Sequence, residues 1–517
     1  MNPTTGDGVA LTTAPVRLAS VLQEIGLDVG PAASATSVTG ITLDSRLVEP
    51  GMLFAALPGH HQHGAAFAAA AAASGAVAIL TDAAGAEQVS ASLPVVVVAD
   101  PRSVLGQLSA AVYGFPSAAM LTFGVTGTNG KTTTTWLLEA ALRRAGHTTG
   151  LVGTVETHVA GAPLPSLRTT PEAPQLQALL AMMRDASVSA VALEISSHAL
   201  AAGRVDGLVV DVAGFTNLGR DHLDFHGTAQ AYEAAKQRLL TPEHSRQAVV
   251  VVDDDGGRRA AAASRVPTQT LSVVGSELGA DRAADWQVPS VVAAVGGPGS
   301  TFVLRGPDGS TLELTVRLPG RFNVANAALA AAMLLVAGVE PAQVSAGIEA
   351  CRGVPGRMEP VDRGQSFVAL VDYAHTPDAL AAVLSGVRPR TSGRLLVVIG
   401  CGGDRDVAKR PDMGAVAARL AEWVAITDDN PRSEDPAAIR RAMIAGAEAA
   451  GATSTVLEIA DRAEAIAEAV AQARPGDTVV VAGKGHEQGQ EVAGAMLPFD
   501  DRAVLAAALE AREVSSR

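Results

Sequence analysis

Only two of the 517 residues are cysteines, Cys351 and Cys401. That excludes a disulfide framework and fits a reducing compartment. Aromatic side chains make up 3% of the chain, so alanine, valine and leucine must fill the cores. Long basic runs are missing and the formal net charge is −14, which argues against nucleic acid or an anionic membrane as partner. Residues 1–15 lack the basic start and apolar centre of a secretion signal and read as a disordered leader. The alanine-rich run from Ala65 to Leu80 is too short to span a membrane and is broken at Ser74-Gly75. It predicts a helix followed by a buried strand. No internal repeat is visible.

What is present is a hydrophobic content of 48%, enough for large cores, over a length typical of about three domains. Helix and strand patterns alternate along most of it, which predicts an α/β protein with mainly parallel sheets. The expected division is a leader (1–16), a first unit (17–117), a central unit (118–355) and a third unit (356–517). Strands are expected at residues 76–80 and 94–99 in the first unit, and at 190–195, 208–215 and 248–252 in the second. Residues 289–320, rich in Gly and Val, suggest a β-hairpin insertion. In the third unit strands are expected at 367–371, 394–399, 423–427 and 478–482. Each runs into a polar loop: Asp372-Tyr373-Ala374-His375, then residues 400–405, 428–432 and 483–487. Ligands of open α/β sheets bind beyond the carboxyl ends of the strands, so the four loops predict one crevice.

The most specific motif is Gly124-Val125-Thr126-Gly127-Thr128-Asn129-Gly130-Lys131-Thr132. An apolar run, residues 120–123, precedes it and a helical pattern, residues 133–145, follows. Strand, glycine-rich loop and helix in that order put backbone N–H groups, a helix N-terminus and a lysine around an anion, here a nucleotide triphosphate. Five residues separate Gly124 from Gly130, one more than the general phosphate-loop pattern. Gly127, Thr128, Asn129, Gly130, Lys131, Thr132 and Thr133 are the candidate nucleotide contacts, with the Thr132 hydroxyl directed to magnesium.

Other chemistry is less specific. Glu194 closes an apolar strand, where a carboxylate is costly unless paired or on a metal. Residues 217–226 hold two histidines and two aspartates within six positions, a candidate magnesium and phosphate shell beside a nucleotide, although magnesium prefers oxygen ligands. Lys236 lies on a helix expected over residues 228–240 with Thr228 as N-cap; by its sequence surroundings it reads as a solvated lysine. His60-His61-Gln62-His63 could bind a transition metal; a loop hydrogen-bonding a substrate fits better, because no cysteine or acid lies at ligand spacing. Cys401 reads as a small residue in a tight turn.

Taken together these segments resemble the Mur ligase family of peptidoglycan synthesis, over about residues 36–510. The markers are Leu43-Asp44-Ser45-Arg46, Arg168-Thr169-Thr170-Pro171, Glu194-Ile195-Ser196-Ser197-His198, Asp221-His222-Leu223-Asp224, Tyr232 to Lys236, Gly402-Gly403-Asp404-Arg405, Asp429-Asn430-Pro431-Arg432 and Gly483-Lys484-Gly485-His486-Glu487. Each is weak singly, but eight in order are specific. The family also has the loop spacing of residues 124–132.

The resemblance implies three domains: a smaller N-terminal α/β domain for UDP, a central phosphate-loop ATPase and a C-terminal Rossmann-like domain for an amino acid. It implies a cytoplasmic, monomeric ATP-dependent amide ligase that adds meso-2,6-diaminopimelate to UDP-N-acetylmuramoyl-L-alanyl-D-glutamate through an acyl phosphate. Leu43, Ser45, His60, His61 and Gln62 then line the uridine site. Thr169, Thr170, Ser196 and Arg204 hold the muramoyl dipeptide, with Ala202 standing where the family often has glutamine. Asn323, Asn326, Arg357, Asp372 and His375 lie near ATP. Arg405, Asp429, Asn430, Pro431, Arg432, Gly483 and Glu487 form the diaminopimelate pocket, Arg432 reading its second carboxylate. The resemblance reverses the reading of Lys236, which becomes a carbamate binding magnesium with Thr132, Glu194 and His222. Lys131, Lys236, His222 and Glu194 are the expected catalytic set. Rival expectations are a folylpolyglutamate synthase-like or L-lysine-adding ligase of the same superfamily, and a nucleotide-binding protein without catalysis.

Overall fold

The computed structural model describes residues 12–28, 31–59, 61–90, 92–166, 168–273, 284–293 and 299–515. The expected leader falls largely outside them, as does His60.

Four parallel strands, Gly40–Thr42, Met52–Ala55, Ala78–Thr81 and Val95–Val97, form a small sheet in chain order. Every residue of the two middle strands is buried, as expected of a parallel sheet covered on both faces. The alanine-rich run supplies the helix Ala68–Ala73 and the strand after it.

Among the described residues the central sheet has twelve strands. Seven lie parallel in the order Thr149–Val152, Ala190–Glu194, Leu121–Thr126, Val210–Phe215, Ser245–Val251, Thr268–Val273, Trp286–Val288. The expected insertion over residues 289–320 is real β-structure, but it does not stand apart. Ser300–Arg305 pairs with Thr311–Val316 and Val291–Ala293 and extends the sheet edge. At the other edge Thr157–Val159 and Ala162–Leu164 add a hairpin. Its strands of three residues are too short to show a period in sequence. Small residues bring helices together: a Cβ on Gly347 of helix Pro341–Ala350 would lie 2.3 Å from Ala141 Cα of helix Lys131–Arg144. Such close approach lets helices pack tightly where aromatic side chains are few.

The third sheet has six strands, in the order Glu359–Pro360, Val368–Asp372, Thr478–Ala482, Leu395–Ile399, Trp423–Ile426, Thr455–Glu458. All but the first are parallel. The four strands expected from sequence are its centre, and their carboxyl ends point the four polar loops the same way. Among the described residues no helix is long and apolar enough to cross a membrane.

Candidate active site

The phosphate loop takes its shape from two glycines with positive φ, Gly127 at 141° and Gly130 at 90°. A Cβ would meet Thr216 Oγ1 at 1.8 Å in the first case and Asn326 Oδ1 at 2.2 Å in the second. The helix therefore starts at Lys131, two residues before the sequence expectation. Residues of the neighbouring strand end hold the loop from outside. Thr216 Oγ1 and Asn217 Nδ2 donate to Asn129 O at 2.6 and 3.0 Å, and Asn129 N donates to Asn217 Oδ1 at 2.9 Å. Thr128 Oγ1 lies 3.0 Å from the Tyr232 hydroxyl.

Lys131 folds over its own loop, Nζ donating to Gly127 O at 2.8 Å and Thr128 O at 2.9 Å. Glu194, wholly buried, accepts from Thr132 Oγ1 at 2.9 Å, Thr154 N at 2.8 Å and Thr154 Oγ1 at 3.0 Å. Arg357 Nη2 donates to Thr132 Oγ1 at 3.2 Å, and its guanidinium lies 4.2 Å from the Tyr373 ring centre. Burial lowers the Lys131 pKa, with Glu194 and Asp221 opposing.

Lys236 overturns the solvated-helix reading. Its helix, Ala229–Gln237, is capped by Thr228 as expected, but the ammonium is buried and donates to Gly127 O at 2.6 Å. Burial, then the nearby Lys131, push its pKa well below the ordinary lysine value. The cause is tertiary: the helix packs its lysine under the loop, which no local pattern could reveal.

Lys131, Thr132, Glu194, His222 and Lys236 line one cleft of about 580 Å³. The same cleft is lined by Thr128, Asn129, Gly130, Thr133, Asn323, Asn326, Arg357, Asp372 and His375, by Thr169, Thr170, Ser196 and Arg204, and by Arg405 from the third sheet. Gly127, also in the loop, does not line the cleft. His222 sits at φ 53° with Nε2 3.3 Å from Asp221 Oδ2. Burial outweighs that neighbour and takes its pKa down to about 4, so the ring is neutral. Asp372 is buried and accepts from Met358 N and Ala374 N, both at 2.7 Å; burial raises its pKa.

Four groups were not singled out from sequence. Glu172 gathers three arginines: Arg204 Nε at 2.8 Å, Arg102 Nη1 at 2.8 Å and Arg168 Nη1 at 3.0 Å. The cluster joins the first two units and leaves an excess of positive charge beside the cleft. Thr154 ties Glu194 to Thr169, whose Oγ1 lies 2.9 Å away. His198, the last residue of the segment Glu194 to His198, meets His222 edge-on with ring centres 4.5 Å apart. Lys484, fully buried, donates to Asn430 Oδ1 at 2.9 Å and Glu487 Oε2 at 3.2 Å; it lay inside a quoted motif, and its basic type among glycines was the available signal.

The remaining sites stand apart from this cleft. Asp429, Asn430, Pro431, Arg432, Gly483 and Glu487 cluster at the carboxyl ends of the third sheet. Gly483 is at φ 117°, where a Cβ would lie 2.7 Å from Asp429 Oδ2. Leu43 packs on the first core, and Ser45 begins a turn capped by Asp44, which accepts from Arg46 N. His61 and Gln62 are exposed. His63 is not available as a metal ligand set with them: its Nδ1 accepts from Ala65 N at 3.0 Å and its Nε2 meets Asp82 at 3.1 Å. Both cysteines are buried, and burial pushes Cys351 up to about 11 and Cys401 up to about 12, which disfavours the thiolate.

A phosphate loop over a buried acid, facing loops of a second parallel sheet across one cleft, defines a nucleotide-dependent enzyme of three α/β units. Three family descriptions match in sequence order: Mur ligase family, catalytic domain (residues 37–113), Mur ligase middle domain (125–334) and Mur ligase, glutamate ligase domain (356–485). A UDP-N-acetylmuramoyl-L-alanyl-D-glutamate--2,6-diaminopimelate ligase of Streptomyces coelicolor is 51% identical, covering 96% of this chain and 98% of its own. One of Corynebacterium glutamicum is 49% identical, covering 92% and 93%. A solved structure titled with the same activity superposes with a TM-score of 0.67 at 32% identity, over 96% of this chain and 99% of its own. The chain belongs to the Mur ligase family, and it is an ATP-dependent ligase.

Proposed function

We infer that this enzyme uses ATP to join meso-2,6-diaminopimelate to the free D-glutamyl carboxylate of UDP-N-acetylmuramoyl-L-alanyl-D-glutamate, a step in making the peptidoglycan precursor. The sequence identity of about half to ligases of that name, over nearly the whole chain, carries the reading.

A carboxylate does not acylate an amine at neutral pH, because oxide would have to leave. Transfer of the ATP γ-phosphoryl group to the carboxylate replaces oxide with phosphate as leaving group. The diaminopimelate amine then attacks the acyl carbon, and the tetrahedral intermediate expels phosphate. The Lys131 ammonium and the loop N–H groups stabilise charge on the transferring phosphoryl group. Arg204 and Arg168 line the cleft and are suited to attract an anionic peptide carboxylate. Thr169, Thr170 and Ser196 are suited to hold it by hydrogen bonds.

The residues fit a magnesium ion. Thr132 and Glu194 present hydroxyl and carboxylate oxygens 2.9 Å apart, hard donors of the right kind. Among the described residues no group of three or more His, Cys, Asp and Glu is gathered to hold a metal, so phosphate oxygens and water would complete the shell. The ion would neutralise phosphate charge. Burial and the nearby Lys131 lower the Lys236 pKa, which favours the free amine form that carbon dioxide can carbamylate, and the carbamate would add two oxygens. His222, kept neutral, is free to accept or donate a hydrogen bond there.

We place the unit boundaries near residues 117 and 355, and the enzyme in the cytoplasm as a monomer. The deciding assay is phosphate release from ATP with the UDP-dipeptide, comparing diaminopimelate, lysine and, with a folate acceptor, glutamate. Equal rates with diaminopimelate and lysine would remove the assignment, and nucleotide binding without turnover would make the chain a binding protein.

A further inference from the structure

Arg432 is held within the chain by Glu491. Its Nε donates to Glu491 Oε2 at 3.1 Å, and its Nη1 donates to Gly403 O at 2.7 Å. Glu491 stands on a hairpin of strands Gly489–Val492 and Ala495–Pro498, absent from the sequence expectations. Backbone contacts fix that hairpin to the loop. Arg432 N donates to Glu491 O at 3.0 Å and Ala493 N to Arg432 O at 2.8 Å. Glu491 N also donates to Asn430 Oδ1 at 3.0 Å. These bonds join the hairpin to the loop, so new rotamers of the two charged side chains suffice to part them. Both reach solvent, at 21% and 37% exposure. Glu487 keeps partners outside that pair: it meets Lys484, a fully buried lysine, at 3.2 Å and accepts from Asn430 Nδ2 at 2.8 Å.

The far end of meso-2,6-diaminopimelate carries a carboxylate and an ammonium on one carbon. We propose that Glu491 is the second half of the receptor for this end, resting on the function inferred above. The Arg432–Glu491 pair is exchanged for two pairs: Arg432 with the ligand carboxylate and Glu491 with the ligand ammonium. Only a ligand carrying both charges completes the exchange. Lysine brings the ammonium alone, so either it or Arg432 is left without a partner. 2-Aminopimelate brings the carboxylate alone and strands Glu491. A charge left unmatched in a partly buried site is what rejects each analogue.

Phosphate release is measured with diaminopimelate, 2-aminopimelate and lysine, in the unaltered enzyme and in Glu491→Gln, which preserves shape. The unaltered enzyme should prefer diaminopimelate to 2-aminopimelate by at least about tenfold in kcat/KM. In Glu491→Gln that preference should shrink to within about threefold, the change falling on KM. The preference over lysine should survive, because Arg432 is intact. If the unaltered enzyme accepts 2-aminopimelate as well as diaminopimelate, or if Glu491→Gln keeps the original ratio, the proposal is overturned. An unaltered enzyme that ignores diaminopimelate would instead overturn the function from which it starts.

Discussion

The phosphate loop and the loop at residues 429–432 both follow parallel strands, yet they are built in opposite ways. Around the phosphate loop, polar groups are buried and mostly tied to backbone: Lys131 to two carbonyls, Glu194 to Thr154 N as well as the Thr132 hydroxyl, Lys236 to Gly127 O. Around Arg432 the charge partner is a side chain with access to solvent, Glu491, beside one backbone carbonyl, Gly403 O. The first arrangement suits a reaction in which charge develops at a fixed place and donors must not reorganise. The second suits recognition, where the free protein must give up a partner before the ligand offers a better one. The difference separates catalytic power from selectivity on one chain.

Breaking the buried side should cost most. Lys131→Met is expected to lower turnover by about 10³-fold or more, read as phosphate release with circular dichroism unchanged. A loss under tenfold would mean that this lysine does not meet the transferring group. On the other side, Arg432→Ala is expected to reduce kcat/KM for diaminopimelate by about 10²- to 10³-fold. The slow reaction with lysine should be spared, and Arg432→Lys should not restore selectivity, because a point charge cannot replace a fork. Should both amino acids suffer equally, Arg432 is structural.

A paired glycine test sharpens the contrast in rigidity. Gly130→Ala forces a Cβ onto Asn326 Oδ1 at a φ of 90°, and nucleotide affinity should fall about tenfold or more. Gly402→Ala meets only the movable tip of Arg432, at 2.9 Å, and should change the amino-acid KM by about threefold at most. Isothermal titration and steady-state kinetics read the pair; equal effects would mean that the two loops do not differ in rigidity.

The smallest effect concerns pH. His158 Nδ1 lies 2.8 Å from Glu139, on the helix that Lys131 opens, and Nε2 lies 2.9 Å from Glu156. Burial lowers its pKa, but the two carboxylates outweigh burial and the net shift is upward. A raised folded value means the ion cluster contributes its full stability below the unfolded histidine value of about 6.5. That contribution is lost as pH rises through the folded value. Melting temperatures taken from pH 6 to 9 should fall more steeply for the unaltered protein than for His158→Gln, by about a few degrees at most. Parallel curves would show that the cluster is neutral throughout.

Much of this was legible in the chain. The phosphate loop announces itself because its glycines, lysine and threonine are adjacent in sequence and framed by a strand and a helix. The strands of the third unit could be read because strands buried on both faces are continuous apolar runs. Lys236, Glu172 and Glu491 could not be read. Lys236 has an ordinary helix around it, Glu172 draws an arginine from 70 residues away, and Glu491 stands in a hairpin with four residues in each strand. Local sequence carries no record of such meetings.

The linear chain determined the class of chemistry and the type of layer, since propensity, periodicity and a contiguous anion-binding loop act over a few residues. Folding in three dimensions decided which charges are buried, which are matched and by whom. Those outcomes depend on solvent exclusion and on distances between elements far apart along the backbone, quantities that exist only once the sheets have packed.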